Sequence, residues 1–203
     1  MMRYLLISTF FCLFLSCKSY QIPDAVETEN STSVVQNQYF SDEALDYVYK
    51  THIEIYGNDM SGIFIVKRIN DSLHRMVLTT DFGNKLLDFE ISENSFKVNY
   101  VFDKLDKKII INTLRDDFRT LLQVNNIVLK KYNRNNESIY QTENNHYYYF
   151  DLISNNLSKI IKTNKRKEKV IFTFNSKKTT FAENINIQHH NIKLKIELNQ
   201  IIN

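Results

Sequence analysis

Residues 61–91 read SGIFIVKRINDSLHRMVLTTDFGNKLLDFEI, and their period decides the fold class. Apolar side chains alternate through Gly62 to Arg68, Leu73 to Thr80 and Lys85 to Ile91, the two-residue repeat of strands with one face buried. Between these runs stand Asn70-Asp71-Ser72 and Asp81-Phe82-Gly83-Asn84, residue types that close tight turns because they tolerate special backbone angles or hydrogen-bond their own backbone. Three strands joined by short turns form an antiparallel meander.

The same period extends in both directions. Upstream it predicts a strand near Tyr47 to Tyr56, followed by turn chemistry at Gly57-Asn58-Asp59. Downstream it predicts strands at Phe96 to Val101, Ser138 to Thr142, His146 to Leu152, Lys159 to Thr163, Lys169 to Asn175, Asn184 to Gln188 and Ile192 to Leu198. One segment departs from it. From Asn112 to Val124, Leu114, Phe118, Leu121 and Leu122 recur at helical spacing, with Asp116 and Asp117 near the N-terminal end, which predicts an amphipathic helix. The class is mainly β (α+β), with about eleven strands and one helix. A strongly curved sheet wrapping that helix has an apolar interior, filled either by side chains or, if the sheet stays partly open, by a ligand.

Composition narrows the function. The 203 residues contain 3 Gly, all between Gly57 and Gly83, too few for a glycine-rich dinucleotide fold or a phosphate-binding loop. A net charge of +3 selects no polyanion. His52, His74, His146, His189 and His190 fall in different elements without metal-ligand spacing, with His189-His190 expected in a hairpin turn, and no G-x-S-x-G elbow exists. No cofactor, metal or catalytic residue is therefore expected, and binding is favoured over enzyme activity.

The N-terminal segment MMRYLLISTFFCLFLSC places Arg3 before an apolar run from Tyr4 to Leu15, shorter than the roughly 20 residues of a permanent membrane helix. Residues 1–16 read as a signal peptide. Leu13-Phe14-Leu15-Ser16-Cys17 resembles the lipobox of bacterial lipoproteins, with Phe14 where an aliphatic is usual. That resemblance implies acylation of Cys17, and two or more chains anchor a protein stably to a bilayer. Residues 17–43 then form a lipidated N-terminus and flexible linker, polar and holding the single proline, and residues 44–203 the folded domain. A free linker of that size reaches about 25 to 30 Å.

Within the domain, Ser61 to Val66, Leu73 to Leu78, Thr79 to Phe89 and the final Ile192-Lys193-Leu194-Lys195-Ile196 resemble the LolB-type outer-membrane lipoprotein receptor and its LolA-type periplasmic carrier relative. The resemblance implies an unclosed antiparallel β-barrel with a helical lid over a hydrophobic cavity that binds lipoprotein acyl chains. It further implies a lipid-anchored outer-membrane protein whose domain faces the periplasm and receives cargo from a LolA-like carrier. The receptor branch carries an exposed apolar loop residue before a glycine; Phe82 and Gly83 match it, with Asp81 where the family tends to have Pro.

Candidate cavity-lining residues are Ile53, Ile55, Phe64, Val66, Val77, Leu87, Phe89, Phe96, Val98, Phe118, Leu121 and Leu122, every one also suited to a plain core. The basic run Lys165-Arg166-Lys167-Glu168-Lys169 reads as a solvated hairpin tip or a patch for anionic head groups. Tyr147-Tyr148-Tyr149-Phe150 with nearby lysines is an aromatic and basic combination that suits nucleic acid, but an exported lipoprotein meets little of it, and no nucleic-acid partner is expected. A monomer is expected. Three readings follow: a LolB-like lipoprotein receptor and inserter, a carrier of another lipid or apolar ligand, and an envelope interaction module whose barrel is filled by its own side chains.

Overall fold

The structure, a computed structural model, describes residues 20–164 and 166–201. Residues 1–16 and Cys17 lie outside them. The strands are β1 (Val26–Thr28), β2 (Val34–Gln36), β3 (Asp46–Ile55), β4 (Asn58–Arg68), β5 (His74–Thr80), β6 (Lys85–Ile91) and β7 (Phe96–Val101). A 3-10 turn (Asp103–Leu105) and the helix α1 (Lys108–Leu122) follow. The second series is β8 (Asn125–Arg134), β9 (Glu137–Thr142), β10 (His146–Asp151), β11 (Leu157–Thr163), β12 (Glu168–Asn175), β13 (Asn184–His189) and β14 (Leu194–Gln200).

Among the described residues, all 14 strands belong to one antiparallel sheet, ordered β1-β8-β9-β10-β11-β12-β13-β14-β3-β4-β5-β6-β7, with β2 pairing β8 beside β1. Two meanders are thus joined where β14 pairs β3, from Leu194 opposite Ile55 to Gln200 opposite Tyr49. The sheet does not close, since β7 pairs only with β6 while β8 is flanked by β9 and, on its other side, β1 and β2. Helix α1 packs in the hollow, where Phe118 stacks on Phe64 with ring centroids 5.2 Å apart.

Three strands exceed the expected eleven: β1, β2 and β8. The first two change the meaning of the segment read as a flexible linker. Tyr39 and Phe40 are fully buried; Tyr39 Oη donates to the Leu157 carbonyl at 2.8 Å, and the Phe40 ring lies 5.0 Å from Tyr47. Burial holds the His74 imidazole below its ordinary pKa, and its Nε2 bonds the Phe40 carbonyl at 2.9 Å. Residues 20–43 are part of the domain. The first turn also shifts by one position: Tyr56 and Gly57, at φ 50° and 82°, make the two-residue hairpin, and Asn58 already pairs with Ile55.

The β5–β6–β7 end of the sheet is clamped by one carboxylate. Asp88 on β6, 1% exposed, accepts two bonds from Arg75 on β5 (3.1 and 2.9 Å), one from Lys85 (2.9 Å) and one from Asn99 on β7 (3.3 Å). The Arg75 guanidinium, with Lys85 and Asn99, holds this carboxyl well below the usual carboxylate range. A depressed folded-state pKa stabilises fully above the unfolded value near 4, and the contribution disappears as pH falls below it. Asp88→Asn should therefore lower stability by about 1–2 kcal/mol at neutral pH, discounted because Arg75 and Lys85 are half-exposed. In urea titrations the gap between variant and native protein should narrow below about pH 4.

Candidate functional site: an apolar cavity at the open rim

In an antiparallel sheet, alternate turns lie at the same end. The β3–β4 turn, the β5–β6 turn at 81–84 and the β7–α1 connection therefore meet on one rim, where α1 begins. Between them is a cavity of about 690 Å³. Its apolar walls are Ile55, Tyr56, Met60, Leu86, Phe102, Leu105 and Ile110; its polar members are Asn58, Asp59, Ser61, Thr80, Lys104 and Lys107. A second cavity of about 270 Å³, beside β2 and β10, has a largely polar lining that includes Thr32, Gln36, Gln38, Asn155 and Thr179, unsuited to hydrocarbon.

Of the residues expected to line a cavity, only Ile55 does so here. Ile53, Phe64, Val66, Leu87, Phe89, Phe118, Leu121 and Leu122 are buried in the packed core, because the helix fills the middle of the hollow and the cavity of about 690 Å³ lies at its N-terminal end. Phe96 packs on the core from the side, its ring edge-on to Phe89 at 5.0 Å. Val77 is half-buried on the outer face opposite Asp88, since Met76 and Leu78 are the inward residues of β5. Val98 is 43% exposed on the free edge strand. Met60, Leu86, Phe102, Leu105 and Ile110 form the walls that sequence reasoning missed.

Beside the cavity stands the most exposed large apolar side chain among the described residues, Phe82, at 94%. Its turn is firmly made: Gly83 N–H donates to the Thr80 carbonyl at 3.0 Å, Thr80 N–H to the Asn84 carbonyl at 2.8 Å, and Asn84 N–H to Thr80 Oγ1 at 3.1 Å. Gly83 takes φ 85°, a conformation that disfavours any residue with a Cβ. Asp81 forms an ion pair with Lys50. Thr80, which anchors the turn, also lines the cavity.

Polar groups hold the helix that floors the site. Asp117 on α1 is buried, with His189 Nε2 at 2.6 Å from Oδ2 and Lys162 Nζ at 3.2 Å from Oδ1. His189 is the buried last residue of β13 and lies in the sheet, contrary to the turn expected for His189-His190. On the outer face, His52 Nε2 comes within 3.7 Å of Glu54 and 3.8 Å of Asp59, a grouping that metal-ligand spacing did not reveal. Lys195 Nζ, 3.9 Å from Glu54, supplies that group with its own cation.

No family model and no curated protein matches this sequence. Among solved structures, a domain from Vibrio parahaemolyticus whose name assigns it to outer membrane lipoprotein sorting superposes with a TM-score of 0.45 at 9% identity, over 77% of this chain and 83% of its own. The LolA superfamily protein NE2245 from Nitrosomonas europaea gives a TM-score of 0.52 at 7% identity, over 82% of this chain and 88% of its own. The unclosed antiparallel sheet curved over one helix is therefore a fold this chain shares with a LolA superfamily protein.

Proposed function

We propose that this protein binds an acyl chain in the rim cavity and passes it to a membrane through the Phe82 turn, acting as a carrier and not as an enzyme. The observation that carries this reading is the apolar cavity opening beside an exposed phenylalanine on a rigid turn. A sixteen-carbon chain carries about 12 kcal/mol of transfer free energy at about 0.8 kcal/mol per methylene, so it crosses water only when shielded. The shared fold supports lipids or lipoproteins as the ligand class. A cavity of about 690 Å³ is the size of a single small ligand's pocket, which favours one chain at a time. The finer reading is a LolB-like receptor, acylated at Cys17, anchored at the outer membrane and loaded by a LolA-like periplasmic carrier.

The test is extraction of the purified protein followed by mass spectrometry of bound lipid, alongside titration with a fluorescent fatty acid. Native protein should carry or bind an acyl chain, and Ile110→Trp, which fills the cavity, should bind at least about tenfold more weakly. Equal binding by both proteins, or none by either, rejects the cavity as the site. Phe82→Glu should bind normally but transfer lipid to vesicles roughly ten- to a hundredfold more slowly, because entry of a phenylalanine into an apolar phase contributes about 1.5–3 kcal/mol.

A further inference from the structure

The order found in residues 20–43 shortens the link between Cys17 and the folded domain. Tyr20 packs on the outer face of the sheet, its ring 5.0 Å from Tyr147, and its hydroxyl donates to Glu168 at 2.7 Å. Ile22 and Ala25 join the same apolar cluster around Ile139, Tyr149 and Ile161. Tyr147 is the second residue of β10 and Glu168 the first of β12, so Tyr20 is fastened close to one end of these strands.

That end is the rim that holds the cavity. Strand pairing carries the level of Ile55 across the sheet through Leu194, then from His189 to Val170, Lys162 and His146. The turns at 81–84, 143–145 and 190–193, with Asn164, Arg166 and Lys167 between β11 and β12, consequently share a rim with the cavity mouth, and the turns at 69–73, 92–95, 135–136 and 152–156 share the opposite one. Three residues span at most about 11 Å, whereas the ten residues of β3 separate the two rims by roughly 30 Å.

From the leash and the rim together, we infer that the bilayer is the partner of this rim: a lipidated Cys17 holds the cavity mouth, Phe82, Arg166 and Lys167 against the membrane surface. This rests on the proposed acylation of Cys17. The surface has the matching chemistry. Phe82, Tyr56 and Ile109 are exposed apolar residues at the mouth, and Arg166, Lys167 and Lys193 in the neighbouring turns have no carboxylate partner among the described residues. Each such cation near an anionic surface contributes about 1 kcal/mol. Ile153, 84% exposed in a turn of the opposite rim, offers the competing way to dock, but a leash fastened at Tyr20 holds that rim a strand's length away.

The test uses the full lipidated protein in vesicles of phosphatidylethanolamine and phosphatidylglycerol. An environment-sensitive fluorophore is placed at Phe82→Cys or Asn144→Cys on the cavity rim, and at Ile153→Cys or Asn94→Cys on the other. Quenching by lipid-borne quenchers should be at least about threefold greater at the cavity rim. A Gly/Ser spacer of about fifteen residues between Ser19 and Tyr20, which reaches roughly 20 Å, should reduce that contrast. Equal quenching at both rims, stronger quenching at Ile153, or an unchanged contrast with the spacer overturns the inference. Mass spectrometry of Cys17 separates causes: an unacylated cysteine removes the anchor itself, whereas an acylated cysteine with equal quenching refutes only the orientation.

Discussion

Asp117→Ala is expected to lower the stability of the domain by about 3–5 kcal/mol, because it removes the carboxylate that both the buried His189 and the largely buried Lys162 contact. Lys162 and His189 reach the Asp117 carboxylate from β11 and β13, with side chains only 15% and 3% exposed, so little water is at hand to replace the lost contacts. The contact also ties α1 to strands far from it in sequence. In a domain of this size each kcal/mol corresponds to about 2–4 °C, so the midpoint of thermal unfolding should fall by roughly 6–20 °C. Asp117→Asn, which keeps the shape and one acceptor, should fall in between. A loss below about 1 kcal/mol for the alanine variant, measured in urea, would show that the cluster is solvated in solution and does not fasten the helix.

The helix is also where the limits of the sequence are clearest. Alternation revealed β3 to β7 and β9 to β14 because each carries several inward residues between turn formers. It missed β1 and β2, which at three residues each show no period, and β8, whose NNIVLKKYNR follows the helix without a glycine or proline to mark the change. Helix α1 begins at Lys108, four residues before the expected Asn112, because its N-cap is Lys107 with no side-chain capping bond and thus none of the usual start signals. That error hid Ile110, and with it the cavity. Apolar spacing marks a side chain as inward-facing, and Phe64 and Leu121 are indeed inward, but only the depth of the hollow decides whether an inward residue meets the helix or empty space. Phe82 is singled out by the resemblance of its loop to that of the LolB-type receptor, and it lies 94% exposed in the β5–β6 turn.

Gly62→Ala should be the most damaging of the small substitutions near the site. Gly62 lies on β4 opposite Thr80, and an added Cβ would overlap the Thr79 carbonyl oxygen and lie 2.9 Å from its carbon and 3.2 Å from Thr80 Cα. All three neighbours are backbone, so no side chain can swing aside. The pair β4–β5 must then open between Ser61 and Thr80, both cavity-lining residues, at the point where the Phe82 turn begins. Overpacking typically costs about 1–3 kcal/mol, and parting a central ladder places this case at or above the upper end. Gly83→Ala makes the control: nothing lies within 4 Å of its added Cβ, and only the positive φ opposes it, at about 1 kcal/mol. Urea unfolding should therefore rank Gly62→Ala well below Gly83→Ala, and amide exchange should accelerate along β4 and β5 only in the former. A Gly62→Ala protein within about 0.5 kcal/mol of native would mean that the strands do not approach this closely, and that the cavity wall is built differently.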